Sequence, residues 1–369
     1  MGKLLEFKRP VEEGLKELLK TLLEGGKLKA VFTLTKKDDA VFYTLIKDAK
    51  KLEETTPLLP LMPVNAGKLL SRLTLKESLE EPIAVVIRPC ELHAFVELIK
   101  REQGSLKNFL FISMTCGGVL PIDNIAKNEL DTKLNKYFES IKNVKVPDEV
   151  RPACKMCQNF LPYNADMVVD FWDKDINKTC RIFVNDTGEK YLNGLGFELK
   201  NTNQGLDYEE EKFKNLLALK KENEKKILES YKIEEWGMDG LVKIFGKCVG
   251  CHSCSRVCPI CYCNLCEFDS DQYEYAPSTY STELEKRGGV RVPPNTILFH
   301  LGRLTHVSIS CVGCGMCEDV CPVDIPVSII FSGISKEVQG LFNYTPGKDI
   351  KEDLPLSTFK EEELNEFEE

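Results

Sequence analysis

Two runs of cysteine carry the clearest chemical signal in this sequence. Cys248, Cys251, Cys254 and Cys258 are followed by Pro259, and Cys311, Cys314, Cys317 and Cys321 repeat the spacing and are followed by Pro322. A cubane 4Fe–4S cluster needs four thiolates set tetrahedrally around it, and a tight loop supplies three of them at two-residue gaps. In two-cluster ferredoxins the fourth cysteine of each run ligates the other cluster. That rule groups Cys248, Cys251, Cys254 and Cys321 as one ligand set, and Cys311, Cys314, Cys317 and Cys258 as a second. The proline after each fourth cysteine turns the chain away from the metal. A structural zinc site uses paired CxxC knuckles, and two full copies of the longer template set zinc aside. Residues 259–310 separate the copies and include Gly288-Gly289 and Pro293-Pro294. His300 and His306 precede the second run and read as helix-face residues packing near a cluster.

The chain holds 16 cysteines, so the two runs do not exhaust them. Cys90 and Cys116 each follow a predicted buried strand directly, and Cys154 and Cys157 form a CxxC loop. Two strand ends and a loop can converge at the carboxyl edge of a sheet, where α/β proteins place ligands. By spacing alone, Cys90 and Cys116 read equally well as packed buried cysteines. Cys180, in NKTCRIFV, reads as a packed strand residue. Cys261, Cys263 and Cys266, in CPICYCNLC, leave three readings open. They ligate a further centre whose fourth ligand is not evident, one of them replaces Cys258, or they pack beside the clusters.

The elements that must position these residues are legible in outline. At 369 residues the chain is long enough for two or three domains. Helical spacing of leucines marks Pro10–Glu24, ending at Gly25-Gly26. Runs at Lys29–Leu34, Ala40–Ile46, Ile83–Arg88, Asn108–Met114 and Met167–Trp172 read as strands, and Glu91–Arg101 as a helix. Strands alternating with helices predict an α/β core over residues 1–205. Tyr208–Trp236 reads as a charged helix with an apolar stripe, a solvated connector packed on one face, over residues 206–240. A ferredoxin-like two-cluster domain then spans 241–340, and 341–369 reads as an extended acidic tail whose end, EEELNEFEE, frays.

A net charge of −9 and the lack of a basic patch argue against nucleic-acid binding. The longest uncharged run, Asn108–Ile122, is too short to span a bilayer. No apolar signal-peptide core interrupts the charges of residues 1–30, so the expectation is a cytoplasmic protein, not an integral membrane one. In that reducing compartment cysteines are metal ligands before they are disulfides.

Residues 1–235 resemble the beta subunit of coenzyme F420-reducing hydrogenase and its relatives in F420-linked formate dehydrogenases and F420H2 oxidases. The resemblance is carried by IRPC ending at Cys90, the strand ending at Cys116, and CKMCQNFLPYNADMVVDFW from Cys154 to Trp172 with its Ala165-Asp166 pair. RIFVNDTGEKYL (Arg181–Leu192) and the Lys/Glu-rich helix extend it. The resemblance implies an FAD-binding α/β domain carrying a 4Fe–4S cluster on Cys90, Cys116, Cys154 and Cys157. Three clusters follow, or four if Cys261, Cys263 and Cys266 hold another. It further implies hydride exchange between the flavin and a soluble carrier, F420. Single electrons would then pass to or from the catalytic subunit of a hydrogenase or formate dehydrogenase, or a heterodisulfide-reductase-like complex. No GxGxxG or Walker sequence marks the flavin site. PVNAGKLL could open a helix whose amides receive a phosphate, with Pro63, Asn65 and Lys68 at the site; it also reads as a plain turn before a surface helix. Two alternatives remain: NAD(P)H as carrier, or a flavin-free electron-transfer subunit.

Overall fold

A computed structural model describes residues 2–124, 129–202, 206–232, 237–271 and 275–357. The α/β region is built on one mixed sheet of β1 (Lys3–Phe7), β2 (Ala30–Lys37), β3 (Ala40–Ile46), β4 (Ile83–Val86), β5 (Phe109–Met114), β6 (Met167–Asp170), β7 (Cys180–Val184) and β8 (Lys200–Asn201), in the order β3-β2-β4-β5-β6-β7-β1-β8. Strands β2, β4, β5 and β6 run parallel and the flanking pairings are antiparallel. Every residue of β4, β5 and β6 is buried. Their largely apolar runs, interrupted only by the buried Ser113 and Asp170, follow from helices covering both faces of a parallel sheet. Helices α1 (Val11–Glu24), α2 (Ala66–Thr74), α3 (Pro89–Lys100), α4 (Leu130–Lys142), α5 (Pro152–Lys155) and α6 (Asp186–Leu192) connect the strands. The expected strand Ala40–Ile46 matches β3 residue for residue, whereas β1 carried no strand expectation. Its short KLLEF sequence is held from both sides, by β7 and β8.

Helix α7 (Glu211–Tyr231) buries Phe213, Leu216, Lys220 and Glu224 along one stripe. It packs on that one face, and the buried stripe takes in two charged residues: Lys220 donates to the Cys154 carbonyl and Glu224 pairs with Lys336. Residues 233–236 of the expected helix lie outside the described residues. The cysteine-rich region folds as short helices, α8 (Met238–Phe245), α9 (Ser253–Val257), α10 (Pro277–Arg287), α11 (Thr296–Val307), α12 (Met316–Asp319) and α13 (Val327–Leu341), around a small core that includes Phe245, Ile260, Val307, Ile330 and Phe331.

The segment after α13 is not an extended tail as far as Ser357. It folds back on α3, where the buried Glu97 carboxylate accepts from the Tyr344 hydroxyl at 2.6 Å and the Gly347 amide at 2.8 Å. Gly347 has φ +72°, and a β-carbon there would lie 2.4 Å from His93 Cα, so only glycine allows this approach. EEELNEFEE lies outside the described residues. Among those residues no helix is long and apolar enough to cross a membrane.

Candidate metal centres

Four thiols from three separate chain segments line one cavity of about 390 Å³: Cys90, Cys116, Cys154 and Cys157. The fold explains the convergence. Cys90 sits at the start of α3, just past the carboxyl end of β4, and Cys116 lies two residues beyond β5. These are neighbouring parallel strands with Val86 opposite Ile112. The CxxC loop crosses the same sheet edge, the usual ligand edge of a parallel sheet. Gly118 (φ +106°) lets the chain pass so close that a β-carbon would lie 2.8 Å from Cys154 Cβ. Backbone amides point at the sulfurs, Gly118 N to Cys116 at 3.3 Å and Val119 N to Cys154 at 3.4 Å.

Buried cations surround this cavity. Lys220 of α7 lines it and donates to the Cys154 carbonyl at 2.7 Å. Arg88 lines it too and pairs with Glu91 at 3.7 Å. Arg151 bonds Asp319 of α12 at 2.5 Å and the Met62 carbonyl at 3.0 Å. Sequence reasoning assigned no role to Lys220 or Arg151, whose partners Cys154 and Asp319 are distant in the chain. Positive charge around four thiolates offsets the cost of burying an anionic centre.

A second cavity, of about 430 Å³, is lined by Cys258, Cys311, Cys314 and Cys317. Gly313 and Cys314 belong to both cavities, so one loop forms their common wall. The remaining four thiols of the two runs are also neighbours: Cys248, Cys251 and Cys321 each act electrostatically on Cys254. Gly250 N points to Cys248 Sγ at 3.4 Å and Ile325 N to Cys321 Sγ at 3.3 Å. Each fourth cysteine thus sits with the other run's set. Among the described residues no three His, Cys, Asp or Glu side chains close around a single metal ion.

Burial pushes the thiols up: Cys116 and Cys314 to about 12, Cys254 to about 11, and Cys90 well above the ordinary range. Such thiols stay protonated at neutral pH unless a metal displaces the proton.

Cys261, Cys263 and Cys266 line a separate, open cleft of about 1050 Å³. The thiols of Cys258 and Cys261 are hydrogen-bonded, which lowers Cys258 below the thiol range and raises Cys261. Cys258 nevertheless faces the cysteine cavity and Cys261 the cleft. The cleft is also lined by Lys68, Arg72, Arg256, Arg303 and His306, with Phe268 and Phe299, against one carboxylate, Asp269. His300 is buried and stacked on Phe245 at 4.3 Å, and burial depresses its pKa to about 3. Cys180 is buried in β7, packed against Gly14 of α1.

PVNAGKLL leaves two readings open, a phosphate-receiving helix start at Pro63, Asn65 and Lys68 and a plain turn before a surface helix, and the structure matches neither in full. Helix α2 does begin there, but its first amides are taken: Gly67 N bonds Asn65 Oδ1 at 3.0 Å and Ala66 N bonds Glu91 Oε1 at 2.9 Å. Lys68 turns the other way. Its amine donates to the carbonyls of Arg256, Cys258 and Cys261 at 2.7, 2.9 and 3.1 Å. The reason is Glu91, a buried carboxylate that already satisfies the N-termini of two helices, capping α3 through Arg88 N at 2.9 Å.

The family described as a 4Fe-4S dicluster domain matches residues 244–325. An F420-dependent formate dehydrogenase subunit beta from Methanocaldococcus jannaschii is 28% identical over 368 residues, covering 90% of each chain. The F420-dependent formate dehydrogenase 1 subunit beta of Methanococcus maripaludis is 30% identical over 372 residues, covering 90% of this chain and 89% of that protein. A chain of the F420-reducing NiFe hydrogenase complex from Methanosarcina barkeri aligns with 65% of this chain and 94% of its own length, at 13% identity and a TM-score of 0.42, too loose a likeness to carry structural detail.

Proposed function

The chain belongs to the F420-dependent formate dehydrogenase beta-subunit family, and from that premise we propose that it relays electrons between coenzyme F420 and a catalytic formate dehydrogenase subunit. Three 4Fe–4S clusters would be held by Cys90/Cys116/Cys154/Cys157, by Cys258/Cys311/Cys314/Cys317 and by Cys248/Cys251/Cys254/Cys321. The observation that carries this reading is the common wall of Gly313 and Cys314. It makes the sheet-edge site and the ferredoxin-type region one continuous path rather than two separate features. The third set extends the path outward, since Cys251 is exposed. Cys261, Cys263 and Cys266 stand outside it.

A deazaflavin gives up two electrons as hydride while a cluster takes one, and a flavin supplies the conversion between them. The open cleft fits such a group. Its arginines suit phosphate, its phenyl rings suit a flat heterocycle, and its wall reaches Cys258 through Cys261. Arg72 and Arg256 would hold the phosphates, and Phe268 and Phe299 would pack on the ring. The occupied amides at the start of α2 favour a second reading, a flavin-free subunit passing electrons between clusters alone.

Acid extraction of the purified protein separates the two: the first predicts a released flavin, the second none. The carrier is tested by anaerobic oxidation of reduced F420, NADH and NADPH with an artificial acceptor. Turnover with F420 alone is expected, and turnover with NADPH instead would overturn the assignment.

A further inference from the structure

We propose that Arg303 is the shared counter-charge of the two sites built from the cysteine runs and that it sets how readily they accept an electron. The proposal rests on the reading that those eight cysteines hold clusters. Arg303 is carried by α11 and is 3% exposed. Its Nη1 donates to Cys254 Sγ at 3.0 Å and its Nη2 to the Cys254 carbonyl at 3.1 Å. The same side chain lines the cavity of Cys258, Cys311, Cys314 and Cys317, so one guanidinium touches both ligand sets. Phe299 and Phe331 lie beside it, 5.4 and 5.0 Å from ring centre to guanidinium carbon. With the side chain this little exposed, its charge is screened less than at the surface.

What sets Arg303 apart is the absence of a carboxylate. Arg88 has Glu91 and Arg151 has Asp319, so each of those charges is neutralised where it stands. No ion pair to Arg303 occurs among the described residues, and the ionisable groups acting on it most strongly are thiols: Cys261, Cys254, Cys258 and Cys317. Its Nε is buried without a partner. A buried cation left unpaired is costly; Cys261 stands outside the two ligand sets, and within them the compensating charge would be that of metal-bound Cys254, Cys258 and Cys317. A cation held against an anionic centre favours adding an electron to it, and hydrogen bonds to sulfur act in the same direction.

Arg303→Gln removes the charge and keeps a donor, whereas Arg303→Lys keeps the charge and loses the fork. The test is iron content followed by an EPR-monitored redox titration of the holoprotein. The expected result is a downward shift of the two ferredoxin-type clusters in the Gln variant, with the Cys90 site unmoved and the Lys variant near wild type. A fully loaded Gln variant with unchanged potentials would overturn the proposal. So would a Lys variant shifted as far as the Gln variant, which would assign the effect to shape. If the Gln variant loses iron from these two sites, a Lys variant that keeps it at wild-type potential supports the proposal, and one that also loses it overturns it. Wild-type protein without iron on these runs would sink the functional reading and this proposal together, a result the wild-type control reports separately.

Discussion

At the scale of the residue, chemistry is decided by which way each thiol faces. Cys258 and Cys261 are three positions apart and hydrogen-bonded, yet one lines the cysteine cavity and the other the cleft. Cys258→Ser is therefore expected to lose a cluster's iron, from about twelve to about eight atoms per chain at four per cubane. Cys261→Ser should keep all of it. Colorimetric iron and acid-labile sulfide assays on both variants check this, and a wild-type count near sixteen would instead give the three spare thiols a centre of their own. His93 offers a second residue-level test. It is buried against Tyr163, with ring centres 4.8 Å apart, and burial lowers its pKa to about 3. The folded state thus holds the ring neutral, while the unfolded chain binds a proton below about pH 6.5. Stability from His93 is complete above that pH and falls as pH drops towards 3, by up to about 1.4 kcal/mol per pH unit. His93→Phe keeps the ring stack and removes the proton site. Thermal unfolding of this variant should depend less steeply on pH between 6.5 and 4 than that of wild type.

At the scale of the element, the cysteine region is pinned to the sheet by helices whose polar residues reach across. Lys68 of α2 satisfies three carbonyls of the first cysteine run. Lys220 of α7 holds the CxxC loop, and Glu224 one turn on accepts from Gln158 and Lys336. Charged donors of this kind contribute about 1.5–3 kcal/mol each. Lys68→Met should lower the unfolding free energy by about 2 kcal/mol and speed proteolysis near residues 256–266, measured by denaturant titration and limited trypsin digestion. Unchanged values for both would mean that the pin is redundant. These elements also mark the limit of what the sequence disclosed. The strands of the parallel core were readable because runs such as IAVVI and NFLFISM are buried on both faces and therefore mostly apolar. The buried stripe of α7 was readable only in part, since Lys220 and Glu224 score as surface residues until their partners, distant in the chain, are known. Asn65 was rightly placed at a helix start, but that Glu91 would fill the amides beside it depends on α2 and α3 meeting.

At the scale of the whole molecule, the two cysteine runs and the scattered set were found from spacing and family resemblance. Their contact through Gly313 and Cys314 was not, because it arises only when the ferredoxin-type loops dock on the carboxyl edge of the sheet. Arg151 and Asp319 stand at that junction and join the two regions. On the proposed function, this arrangement would give a path from the sheet-edge site, through the common wall, to the exposed Cys251 side. The most direct test is an anaerobic titration of the holoprotein, reconstituted with iron, sulfide and FAD, with reduced F420, following the broad cluster absorbance near 400 nm. The account predicts bleaching by reduced F420 to most of the extent reached with dithionite. Clusters that dithionite bleaches but an excess of reduced F420 leaves untouched would contradict it.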